Sequence, residues 1–246
     1  MIRIIPLLLI TMISATIFAD KPDGIHYISL NRAIRLGQYD GVTTAKELKS
    51  YGDFGLGSEE KVASELVILD GVAYSIPADG KAKVMPDQAK IAFSAIKFFK
   101  TDKQVKINKA FSLKELEQYL DSLIVKNTFA AIKISGEFAS ITFTSYHKQE
   151  KPYKPIEQVP VSEFTHTKMK GTIVGFFTPE SAAVLNSPTY HFHFIDQART
   201  TGGHVQDCVI GNVEIELDYT RSFTADLADP AILQHIDLNK PIEAEK

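Results

Sequence analysis

The sequence predicts an α/β protein of the α+β type: two packed, mixed or antiparallel β-sheet subdomains with few helices. Three observations carry this expectation. Apolar runs rich in β-branched and aromatic residues recur along the chain, separated by turn residues. Helical signals are few, near Thr44, after Ser112 and in the tail. The helices are inserted between strands instead of alternating with them, which argues against a doubly wound parallel sheet. With 246 residues, 44% hydrophobic and 23% charged, the chain has globular composition and can bury a sizeable core. The formal net charge is -3 and the basic residues are spread along the chain. That excludes the clustered basic face that nucleic-acid binding needs.

In chain order, "MIRIIPLLLITMISATIFAD" reads as a secretory signal peptide over residues 1–19. A cation at Arg3 precedes an apolar centre, and Ala19 offers a small residue at the cleavage point. The apolar run is short for a membrane span. The expected mature chain is therefore exported, periplasmic or secreted, and free of the membrane. Its single cysteine, Cys208, allows no internal disulfide. Two subdomains are expected, residues 20–150 and residues 151–246, forming one compact unit.

"IHYISL" is a strand candidate. Thr43, Thr44 and Glu47 have the pattern of a capping box opening a helix that Gly52 ends. Gly55 and Gly57 suggest a flexible or tightly turned loop. "SELVILDGVAYSIP" is a hairpin around Asp70-Gly71, the favoured two-residue turn. "IAFSAIKFF" is a further strand. From Ser112 an amphipathic helix places Leu113, Leu116, Leu120, Leu123 and Ile124 on one side, with Ser112 and Glu115 as a second capping box. "FAAIKISGEFASITFTSY" is expected to be a hairpin around Ser135-Gly136. The proline- and charge-rich "HKQEKPYKPIEQVP" is an extended connector. "MKGTIVGFFTP", "TYHFHFID" and "HVQDCVIGNVEIELDY" form three strands of a second sheet, and the tail holds a short helix.

The chemistry concentrates in "YHFHFIDQARTTGGHVQDC", which holds three of the seven histidines. On a strand, His191 and His193 point to one face, and Tyr190, Phe192 and Phe194 to the other. Gly202 and Gly203 turn the chain so that His204 returns beside them. Three imidazoles then converge, as in a catalytic zinc site with an open position. Copper, iron or nickel would also suit imidazole. The plain alternative for an H-x-H pair is a surface or hydrogen-bonded pair; the third histidine behind the double glycine favours the metal. His26, His147, His166 and His235 lack partners at metal spacing. Cys208 shares strand parity with His204, but four strand residues span about 13 Å, so it reads as a buried thiol.

"YHFHFIDQARTTGGHVQD" resembles the metal-binding signature of the α-acetolactate decarboxylases. "YDGVTTAKELKSYGDFGLGS", "SELVILDGVAYSI", "QEKPY", "KGTIVGFFTP" and "FTADL" resemble the family's other blocks, in its order, from Gly24 to Leu227. The resemblance implies a zinc enzyme of mixed α/β fold, usually a homodimer, that decarboxylates (S)-2-acetolactate to (R)-acetoin and CO2 through a zinc-bound enediolate. It implies His191, His193 and His204 as zinc ligands and Glu65 as a catalytic acid. Ser58 stands where the family has a threonine hydroxyl. The family's C-terminal glutamate matches Glu245, or else Glu243. One position departs: Thr144 stands where the family has an arginine that binds substrate oxygens and carboxylate. Lys133, Lys148, Arg199 and His147 are the basic residues from elsewhere that are candidates to reach into the site. The departure keeps open a related zinc protein with altered substrate or without turnover. A cupin-type metal site, with Asp196 as its carboxylate, is a third reading.

Overall fold

The computed structural model describes residues 22–239. The expected signal peptide, Glu243 and Glu245 lie outside the described residues. In chain order the elements are β1 (Ile25–Ile28), α1 (Asn31–Arg35), β2 (Thr43–Thr44), α2 (Ala45–Leu48), β3 (Phe54–Glu59), β4 (Glu65–Leu69) and β5 (Val72–Ile76). There follow β6 (Lys83–Val84), β7 (Lys90–Lys97), β8 (Lys103–Ser112), α3 (Leu113–Asp121) and β9 (Phe129–Tyr146). The chain continues with β10 (Val161–Thr178), β11 (Thr189–Asp196), β12 (Gly202–Thr220), β13 (Phe223–Asp226) and α4 (Pro230–Leu233). No helix among the described residues is long and apolar enough to cross a membrane.

The strands form two sheets. The first runs β13-β1-β7-β3-β4-β5-β6, with β2 also on β7. The second runs β11-β10-β9-β12-β8, and β11 pairs with β12 as well, closing β9 to β12 into a ring. Alternation along each strand sorts the side chains into three apolar cores. Ile173, Phe177, Phe192 and Phe194 point into the second sheet with Phe138 and Phe143. Val174, Phe176 and Ile195 point the other way, onto Tyr27, Phe54, Leu56 and Phe93 of the first sheet. Leu48, Ile68, Ile91 and Ile96 pack under α2 on the outer face of the first sheet.

Lys97 ties the sheets together. It is fully buried on β7, and its ammonium meets Asp218 on β12 at 2.5 Å and Thr220 at 2.7 Å. An unpaired charge there would be expensive; the carboxylate and hydroxyl offset its desolvation.

Many local expectations hold. Thr44 and Ser112 are N-caps with complete capping boxes to Glu47 and Glu115. Asp70 and Gly71 take φ of 54° and 77° between paired Leu69 and Val72, as the two-residue hairpin turn requires. Three expectations are corrected. Gly55 and Gly57 lie inside strand β3, not in a loop; a Cβ on Gly57 would stand 2.0 Å from the Phe93 carbonyl, so the glycine serves close strand approach. Residues 129–146 form one long strand, not a hairpin at Ser135-Gly136. A Cβ on Gly136 would meet the Asn212 carbonyl at 2.3 Å, where β12 is bulged. The division at residue 150 does not follow the sheets. β8, α3 and β9 belong with the second sheet, and β13 returns to pair with β1 of the first. Sheet membership follows long-range pairing, so a connector such as 147–160 does not mark it.

Candidate active site

The site lies where the two sheets meet. β11 alternates as expected: Phe192 and Phe194 enter the second core, and His191 and His193 face the first sheet, both buried. The chain turns over Asp196 to Thr201 and comes back as β12, which puts His204 directly across from His193. The glycines permit this closeness, since a Cβ on Gly202 would lie 2.1 Å from the Phe194 carbonyl. The three rings sit with centroids 5.0 to 5.3 Å apart. One ligand atom from each lies within 4.8 Å of the others, the spacing at which a single ion can bind all three.

Two of the imidazoles are oriented from behind. His191 Nδ1 is 2.7 Å from Asn186 Oδ1, and His193 Nδ1 is 2.9 Å from the Leu66 carbonyl. Both partners are acceptors, so each Nδ1 donates its hydrogen and each Nε2 is left as the lone-pair nitrogen. Burial holds the three rings neutral. It drives His191 and His193 well below the ordinary imidazole range, helped by the neighbouring rings, and His204 down to about 4. Neutral imidazoles are what a divalent ion needs. The donor set therefore fits a metal with three nitrogen ligands and room for further oxygen ligands.

Glu65 opens β4, opposite Ser58 on β3, and its carboxylate is 3.5 Å from His193 Nε2. Burial pushes its pKa up to about 8, against a lowering hydrogen bond from the Tyr146 backbone. The Ser58 hydroxyl is buried without a hydrogen-bond partner. A buried orphan of this kind in a cavity wall is suited to a ligand oxygen. The cavity is about 110 Å³ and is lined by all five of these residues. Asn31 and Arg35 of α1, Phe93 of β7, Tyr146 of β9 and Ser187 complete much of its wall. That volume suits a small molecule of a few carbons, not a nucleotide cofactor.

Thr144 pairs with His204 across β9 and β12, but it does not line the cavity, and its Oγ1 accepts from Gln206 at 3.1 Å. The four basic residues named as candidates to reach in are engaged elsewhere. Lys133 pairs with Glu216, Lys148 with Glu150, Arg199 with Asp70, and His147 with Ser162. Among the described residues, the arginine or lysine that does line the cavity is Arg35, for which the sequence held no local signal. Asp196 is not a ligand. Its carboxylate accepts from the Thr200 and Thr201 backbone at 2.6 and 2.9 Å and holds the loop before β12. Cys208 is a buried thiol, but it faces the second core, because the register shift between Val205 and Asp207 breaks its parity with His204. His26 bonds Asp226, and His166 stacks on Phe143, both away from the site.

Comparison with known proteins agrees with this geometry. The family model described as alpha-acetolactate decarboxylase matches residues 25–240. The alpha-acetolactate decarboxylase of Methanosarcina mazei is 34% identical over 91% of this chain and 78% of its own length. That of Bacillus subtilis is 32% identical over 90% of this chain and 89% of its own. The crystal structure of the Bacillus subtilis enzyme superposes with a TM-score of 0.86, at 32% identity over 89% of this chain and 94% of that one. A Staphylococcus aureus protein described as similar to alpha-acetolactate decarboxylase superposes at 0.80, with 26% identity over 82% of this chain and 88% of that one. The described fold, the small buried cavity and these matches make the chain a member of the alpha-acetolactate decarboxylase family, a carbon–carbon lyase acting on acetolactate.

Proposed function

We propose that the chain converts (S)-2-acetolactate to (R)-acetoin and CO2, with zinc held by His191, His193 and His204. The observation that carries this reading is the convergence, on one small cavity, of three neutral imidazoles, the buried carboxyl of Glu65 and the orphan hydroxyl of Ser58.

In the reaction the bond between C2 and the carboxylate carbon breaks. Its electron pair remains on C2 and spreads into the neighbouring ketone, CO2 leaves, and one proton added to C2 completes acetoin. Bound zinc supplies Lewis-acid withdrawal of that developing charge. The remaining work falls to side chains. Burial raises the Glu65 pKa to about 8 in the metal-free chain, a direction that suits it to carry a proton to C2 from one face. Ser58, directly across the ladder from Glu65, donates its hydroxyl to a substrate oxygen. Phe93, Val62 and Ile156 wall the cavity with apolar surface, which keeps water from the carbanion. A second carboxylic acid from the C-terminus, Glu245 or its neighbour Glu243, belongs to the same reading on the strength of the family resemblance.

Acetoin formation from racemic acetolactate by the purified mature chain, zinc-loaded and metal-free, tests the proposal. Chiral chromatography identifies the product enantiomer. Thr144 favours a second reading, a zinc protein with altered substrate or no turnover; zinc retained without acetoin would establish it. We also infer export through residues 1–19 and a homodimer. N-terminal sequencing of the protein from the producing cell and sedimentation of the mature chain test these two points.

A further inference from the structure

We propose that Arg35 binds the substrate's carboxylate, the task for which residue 144 offers no cation. The inference rests on the decarboxylase reading above. α1 turns Asn31 and Arg35, four residues apart, toward the cavity that holds the three histidines. Asn31 Nδ2 donates to Ser187 Oγ at 3.4 Å, so this wall of the cavity is polar. The Arg35 guanidinium is held by Glu157, whose Oε1 accepts from Nε at 3.0 Å and from Nη2 at 2.8 Å. A guanidinium carries five N–H donors in a planar fork, of which Glu157 takes two, and that geometry matches a carboxylate as a threonine cannot. Among the described residues lining the cavity, Arg35 is the one lysine or arginine.

The chemistry gives this role a distinctive signature. The carboxylate departs as neutral CO2, so its pairing with Arg35 is strongest in bound substrate and fades as the bond breaks. The interaction therefore favours binding and does not favour the transition state. Loss of the guanidinium raises KM and leaves kcat unchanged or higher.

The test compares the zinc-loaded wild-type chain with Arg35→Gln, Arg35→Lys and Glu157→Gln. Turnover of acetolactate is measured together with calorimetric binding of two probes. One is 2,3-dihydroxy-2-methylbutanoate, a carboxylate that lacks the ketone and does not decarboxylate. The other is acetoin, which has no carboxylate. Arg35→Gln is expected to raise KM and weaken the carboxylate probe by about tenfold or more, as for a lost charge-assisted hydrogen bond, with acetoin binding and zinc content within about twofold of wild type. Arg35→Lys recovers part of the affinity, and Arg35→Gln with Thr144→Arg recovers more. The proposal is overturned if Arg35→Gln leaves KM and the carboxylate probe unchanged. It is equally overturned if Glu157→Gln reproduces the whole loss, since the ion pair would then act only in holding α1. A wild-type chain that makes no acetoin sinks the decarboxylase reading instead, and the carboxylate probe still reports on Arg35.

Discussion

His193 and His204 face each other directly across the ladder between β11 and β12, with ring centroids 5.3 Å apart. Cross-strand neighbours on one face are the nearest side chains that two strands can offer. The hairpin therefore fixes two imidazoles of the proposed metal site, and His191, two residues along β11, adds the third. This rigidity makes the metal site sensitive to each member.

His204→Ala removes one of the three proposed nitrogen ligands. Zinc content after dialysis is expected to fall well below one ion per chain. Turnover should drop by about a thousandfold, given several kcal/mol of Lewis-acid stabilisation. Elemental analysis beside the acetoin assay checks both, and circular dichroism confirms that the sheets persist. Full zinc retention in the variant would remove His204 from the ligand set.

Asn186 is fully buried and receives the His191 Nδ1 hydrogen. Asn186→Ala leaves the ring free to rotate, so zinc affinity should weaken by about 10- to 100-fold with the ligands themselves intact. Competition with a chromophoric chelator measures it. Unchanged affinity would show that the packing around His191 orients the ring without this bond.

Glu65→Gln keeps the volume and removes the transferable proton. Turnover should fall by about 10²- to 10⁴-fold while zinc stays bound, the range expected for loss of a general acid. Full turnover in this variant would transfer the proton donor's role to another group.

Opposed pH terms act on the metal-free chain, among them those of Glu65 and His204. Glu65 has its folded pKa raised, to about 8, above the unfolded value of 4.5. Its contribution is fully present below the unfolded pKa and is lost as pH rises through about 8. His204 has its folded pKa lowered to about 4 from 6.5, so its contribution is present above 6.5 and is lost as pH falls toward 4. Only the first is removed in Glu65→Gln. The Tm of metal-free Glu65→Gln should therefore gain on wild type as pH rises from 5 to 8. A difference that stays constant with pH would mean an ordinary carboxyl.

Asp218→Ala leaves the Lys97 ammonium buried between the sheets without its main carboxylate. Removing one member of such a pair costs about 3–5 kcal/mol, so the variant should unfold at markedly lower denaturant. A change within 1 kcal/mol, read at about the accuracy of the method, would mean that Thr220 and Asp23 suffice to hold the charge.

The sequence by itself determined what depends on near neighbours. The capping residues Thr44 and Ser112, the Asp70-Gly71 turn and the shared face of His191 and His193 follow from spacing, because a helix or a strand repeats its geometry every few residues. Glycine was ambiguous at that range. The same residue serves a turn or a close approach of two strands, and only the neighbour strand decides which; Gly57 and Gly136 proved to be the second kind. The edge strand β8, mostly exposed and lysine-rich, offered only the short alternation of Val105 and Ile107 to read. A bulge after Val205 reset the parity that would have turned Cys208 toward His204. What the tertiary structure alone decided is the meeting of distant residues: Glu65 with His193, Lys97 with Asp218, Leu66 behind His193, and Arg35 at the wall of the cavity. These contacts join segments separated by up to well over a hundred residues. Their positions come from how the two sheets pack, a balance of burial over the whole chain that no local window contains.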